Sequence, residues 1–121
     1  MRTTIFVPTP GGFSAERSAG HAWRDVSEWD GQAVSGTQNV EIHRSAHGVV
    51  VLVRIRAGGR FPMHAGSVIT VCQIVRGRGT VGLPNGHEAP YDAPELFIFE
   101  PGALHAWNAE EDTEFTVCEI R

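Results

Sequence analysis

Apolar and polar residues alternate along most of this chain with a period of about two, in short runs broken by glycine and proline. That is the signature of strands. After a polar, glycine-containing loop over residues 31–39, the first strand covers residues 40–43. A turn at 45–48 leads to a long strand over 49–56, whose two faces read Val51, Val53, Ile55 and Val50, Leu52, Arg54, Arg56. The first set is the more uniformly apolar and is expected to face inward. Arg54 and Arg56 then reach an outer face, to be solvated, to join a subunit contact or, in the sharper reading, to grip an anionic substrate at a cavity mouth.

Further strands follow. Residues 68–75 are rich in β-branched side chains and end at Gly77 and Gly79, which reads as a strand buried on both faces or nearly so. Residues 79–83 form another, and Pro84-Asn85-Gly86 is a hairpin turn, because asparagine and glycine accept positive φ. Residues 88–91 pair back only weakly, since Pro90 cannot donate to a ladder. Residues 96–99 are a short apolar strand, and Pro101-Gly102 forces a turn. His105 and Trp107 then share one face of the next strand, and 113–120 closes the set. At the other end, residues 3–7 are strand-like and cut off by Pro8 and Pro10. Residues 14–30 carry the only helical signal: Trp23, Val26 and Trp29 are three apart, and Ser27 or Asp25 is available to cap a turn. The two tryptophans read first as packing anchors. Residues 1–37 are thus expected to form an N-terminal arm and 38–121 a single barrel.

Two stretches carry the candidate chemistry. In GGRFPMHAGSVITVCQIVRGRG, residues 58–79, and in ELFIFEPGALHAWNA, residues 95–109, a lone histidine stands just past a Gly/Pro break and beside an apolar strand. Such breaks re-aim side chains at barrel rims. His64 and His105 are therefore the candidate pair. Their setting resembles the cupins, small double-sheet jelly-roll barrels. The first cupin motif, G-x5-H-x-H-x3,4-E-x6-G, counted back from Gly77 without gaps, puts Gly58 on the opening glycine and His64 on the first histidine. Gly66 then falls on the second histidine and Thr70 on the glutamate. The second motif matches at Gly102 and His105. Pro94 and Glu100 stand on its first glycine and its proline, and Ala109 replaces its asparagine. The resemblance covers roughly residues 50–120.

The resemblance implies an all-β double-stranded β-helix, or jelly-roll barrel, in one domain. It also implies a small-molecule enzyme with a divalent transition metal, iron, manganese, nickel, copper or zinc, held by imidazole and carboxylate. Chemistry in such a cavity would be oxygenation, isomerisation, cyclisation or lyase chemistry. His64 and His105 would supply two ligands; His43, Glu100 and Cys72 are the candidates for a third. Two other readings stand beside this one. In one, His64 or His105 acts as general acid or base without metal. In the other, the cavity only binds or senses a small ligand. His21, His43, His47 and His87 are expected at the surface or as satisfied polar groups, His43 keeping its place among the third-ligand candidates.

Composition narrows the partners. A chain of 121 residues, 41% hydrophobic and 20% charged, is one globular domain with a core of its own. The net charge of −4, with no cationic cluster, argues against nucleic acid. All ten basic residues are arginines, so lysine Schiff-base chemistry and a lysine-held pyridoxal cofactor are excluded. No apolar run is long enough to span a bilayer. No leader-like segment opens the chain, and Cys72 and Cys118 fall in strands rather than in a close framework, so a cytoplasmic protein with reduced thiols is expected. Apolar residues in the arm point to a homodimer.

Overall fold

The chain is built around one strand. In the computed structural model, which describes residues 1–121, β5 (Gly48–His64) runs for 17 residues and has three partners. On one edge, β11 (Thr113–Ile120) pairs with its first half and β10 (His105–Ala109) with its second. Along the other edge lies β4 (Gln32–Ser45). Because β11 and β10 diverge from a common strand, the sheet splits into two leaves. One continues through β6 (Ile69–Arg76) to β9 (Glu95–Phe99), the other through β7 (Arg78–Gly82) to β8 (Glu88–Asp92). β3 (Arg24–Trp29) pairs with β4. This is an all-β double-stranded β-helix, as the alternation and the motif spacing led one to expect. No helix of the protein is long and apolar enough to cross a membrane.

The core fills the space between the leaves. Ile55, Cys72, Ile74, Val81, Tyr91, Trp107, Ala109 and Phe115 form one buried cluster, with Trp107 stacked on Phe115 at 4.5 Å between ring centroids. The one polar link through this core is satisfied at both ends: Tyr91 Oη and Thr113 Oγ1 are 2.8 Å apart, and Thr113 Oγ1 donates to Glu111 O. Such closure matters, because an unpaired buried hydroxyl costs about 1–3 kcal/mol. Val51, Val53 and Ile55 face inward as their alternation indicates. Leu52 on the opposite face is also buried, at 1% exposure, and Arg54 lies with its guanidinium 4.1 Å from the Trp23 ring.

Two local devices position the functional end. Between β5 and β10 the register runs His105 with His64 but Trp107 with Phe61, so β5 carries one extra residue at Pro62–Met63. A proline in a ladder removes a donor, and a bulge is where that loss is tolerated. The extra residue lets Phe61 and His64, three apart, both face inward. The second device is the turn at Pro101–Gly102, with Gly102 at φ 82°, which brings β10 in at the start of its pairing with His64. The Asn85–Gly86 turn also has the expected positive φ, 64° and 76°, and Pro90 sits on β8, which pairs only with β7.

The helical reading of residues 14–30 is overturned: they form β2 (Gly12–Ser18) and β3. The three-residue spacing of Trp23, Val26 and Trp29 does not mark one stripe. Trp23 covers Arg54, whereas Trp29 turns toward Phe61 and His64. The pairing of β3 with β4 slips between Val26 and Glu28, close to the left-handed Gly36 at φ 62°, and this change of phase imitates a helical period. The part of the N-terminus that stands apart is also shorter than residues 1–37. β1 (Thr3–Thr9) and β2 pair only with each other, whereas β3 and β4 belong to the main sheet.

Candidate functional site

The bulge and the turn together set two imidazoles face to face. His64 and His105 are Cα partners across β5 and β10, with ring centroids 4.3 Å apart. Phe99 stacks on His105 at 3.7 Å and 7°, and Phe61 meets the edge of His64 at 4.7 Å. Each ring is also tied by its own strand. His64 Nδ1 is 2.8 Å from Pro62 O, and His105 Nδ1 is 2.9 Å from Ala103 O. A carbonyl only accepts, so Nδ1 carries the hydrogen in both rings and each Nε2 carries the lone pair. Neither Nε2 has a protein partner and no buried side-chain nitrogen is left unsatisfied, so both are reached from the cavity.

Both rings are neutral at physiological pH. Burial pushes the His105 imidazole down to about 4, against the Ala103 bond, and the neighbouring His64 lowers it further. Burial also lowers His64, while the Pro62 bond and the charge of Asp30 pull it upward. A single proton placed on the pair therefore goes to His64.

The cavity they face holds about 330 Å³. Trp29, Phe61, Trp107 and Phe115 supply aromatic walls, Val51, Val53 and Val117 the aliphatic floor, and Thr70, Ser67 and Asn39 scattered hydroxyl and amide groups. Glu119 is the only charged side chain in the lining. It is the Cα partner of Thr70 across β11 and β6, and its carboxylate lies 3.8 Å from the guanidinium of Arg121. Sequence reasoning missed Glu119 and Trp29 as cavity residues. The closing strand's alternation, Phe115, Val117, Glu119, does carry the first of these; nothing local carries the second.

The other candidates scatter. His43 and Glu100 are exposed and outside the lining, and His47 and His87 are exposed too. Cys72 does line the cavity, but burial holds its thiol up at about 12, so it is a neutral SH. Arg54 and Arg56 line a separate outer groove of about 640 Å³ together with Asp25 and Asp112. That groove is larger, but it is polar and neither His64 nor His105 lines it. Arg54 there donates to Gln38 Oε1 rather than reaching the histidines.

A divalent transition metal does not fit this donor set. No three His, Cys, Asp or Glu side chains come together to hold one. Gly66 has no side chain, and a Cβ added there would meet Thr70 Oγ1 at 2.9 Å. The two positions that would complete a cupin metal trio thus press on each other. Two imidazoles alone are a weak site.

No family profile and no curated protein matches this chain. Solved structures do. A cupin superfamily protein from Desulfitobacterium hafniense superposes with a TM-score of 0.65 over 71% of this chain and 78% of its own, at 9% identity. The fold is that of a cupin. KdgF from a Halomonas species matches this chain at TM-score 0.67 and 19% identity, over 84% of this chain and 87% of that one. The polyketide cyclase RemF from Streptomyces resistomycificus matches at 0.71 and 15%, over 83% and 73%. At such identities these likenesses establish the fold.

Proposed function

We propose that this cupin is a small-molecule enzyme that moves a proton between a ligand held in the barrel and the His64–His105 pair, with no resident metal required. The observation that carries this is the pair itself: two neutral imidazoles in contact, each with Nδ1–H fixed by a backbone carbonyl and Nε2 open to an apolar cavity. His105 is 2% exposed and stays an acceptor, so it orients a donor hydrogen on the ligand. His64 is the base. It takes a proton from an acidic O–H or C–H, leaving the electron pair on the ligand as an alkoxide, enolate or phenolate beside the new imidazolium, and returns the proton to a different atom or to the same one. Asp30 stabilises the charged His64. Net charge in the cavity is unchanged throughout, which suits a site that resists isolated charge.

The test uses hydrogen exchange. Small enols, β-dicarbonyls and phenols are incubated with the protein in D2O and followed by proton NMR. Deuterium is expected at the acidic position of at least one class, at a rate that falls by about 100-fold or more in His64→Ala, as for loss of a general base. Exchange that appears only after a divalent metal is added, and that a chelator abolishes, would refute the metal-independent reading.

A further inference from the structure

We infer that the ligand of this cavity is an uncharged aromatic ring bearing a hydroxyl or N–H group, and that carboxylates of the same shape are turned away. The inference rests on the cavity being the working site and deepens that reading.

The walls choose the ring. Trp29, Phe61, Trp107 and Phe115 surround a space of about 330 Å³, enough for a single substituted ring and its contacts. Flat faces prefer a flat guest, since offset or edge-on aromatic pairs add about 0.5–1.5 kcal/mol beyond burial. The histidines choose the donor. Both Nε2 atoms are acceptors, and a buried acceptor without a hydrogen loses its bond to water for nothing.

The charges choose neutrality. No arginine lines the cavity and the chain has no lysine, so no permanently charged cation there can pair with an anion, and His64 and His105 are neutral until a ligand gives up a proton. Arg121, which is not in the lining, is engaged with Glu119 at 3.8 Å. Glu119 in the lining and Asp30 acting on His64 are the charges that reach the site, and both are negative. A carboxylate would be desolvated opposite these groups with no partner. An ammonium would meet Glu119 only at the rim, and farther in would find neutral rings and alkyl side chains.

The experiment titrates four probes of one shape, 4-methylphenol, 4-methylanisole, 4-methylbenzoate and 4-methylbenzylamine, following tryptophan fluorescence and calorimetric heat. 4-Methylphenol is expected to bind roughly tenfold tighter than the anisole, the value of one hydrogen bond of about 1.4 kcal/mol. The benzoate and the amine are expected to bind more weakly than the phenol. Replacing both His64 and His105 by alanine should erase the phenol–anisole difference, since each Nε2 is an open acceptor. Glu119→Gln, a near-isosteric change at a part-exposed site, should improve the benzoate several-fold relative to the phenol. Benzoate or amine binding equal to or tighter than the phenol in the wild type overturns the inference and leaves the cavity as the working site. If no probe of any charge perturbs the tryptophans or the histidine NMR signals, the cavity reading itself fails.

Discussion

The titration of His105 ties the site to stability. Its folded-state value, about 4, lies below the ordinary 6.5, so the unfolded chain binds the proton more readily. Stability is therefore fully present above about pH 6.5 and falls as pH drops toward 4, by up to roughly 3 kcal/mol at 1.36 kcal/mol per pH unit. Thermal melts at pH 7, 5.5 and 4.5 should show the midpoint falling, and His105→Gln should flatten the dependence. Cys72 gives a second residue-scale expectation. With its thiol held up at about 12, it should resist alkylation at pH 8 until the chain unfolds, as mass spectrometry can show. Cys118 cannot bridge to it. Val117 is the Cα partner of Cys72, so Cys118 points to the opposite face of the sheet. At this scale the sequence was legible where a motif fixed the spacing, at His64 and His105. It was silent at Trp29, whose place in the cavity depends on a register slip between two strands.

Elements were legible wherever a strand kept its phase. β6 follows from its β-branched run, although only the face of Thr70, Cys72 and Ile74 is buried and Gln73 and Val75 are exposed. The Asn85–Gly86 hairpin follows from residues that accept positive φ. β3 did not, because the slip after Val26 breaks the alternation that betrays a strand, and β2 did not, because it is exposed along its whole length and buries no face to alternate. β1 and β2 have a consequence of their own. Phe6 and Phe13 pack edge to face at 5.7 Å yet stay 65% and 67% exposed, and the hairpin pairs with nothing else in the chain. Removing residues 1–18 should leave the melting midpoint within a few degrees of the full chain, since no core contact is lost. β9 has only β6 beside it and carries Leu96 and Ile98 outward at 58% and 60% exposure, an unpaired edge of the kind on which a second chain adds a strand. The homodimer expected from the sequence gains a route here, hairpin of one copy on β9 of the other. Light scattering should show a dimer for the full chain and a monomer once residues 1–18 are removed; a full-length monomer at micromolar concentration would refute it.

For the whole molecule, the core and the cavity share a wall between the leaves, since Cys72, Trp107 and Phe115 belong to both. Truncating Ile74, fully buried in the core cluster, to alanine should cost about 2–5 kcal/mol in denaturant melts. The same truncation at His64, half-buried at the cavity end, should cost far less. The contact between Gly66 and Thr70 bears on how such a barrel can change over generations. A histidine acquired at 66 alone drives its Cβ into Thr70. A glutamate acquired at 70 alone places an unpaired carboxylate at a buried position beside neutral imidazoles, at a cost of several kcal/mol. Each single step descends before the pair of them can climb. For a lineage that moves one codon at a time, the distance from this barrel to a metal-holding one is a valley.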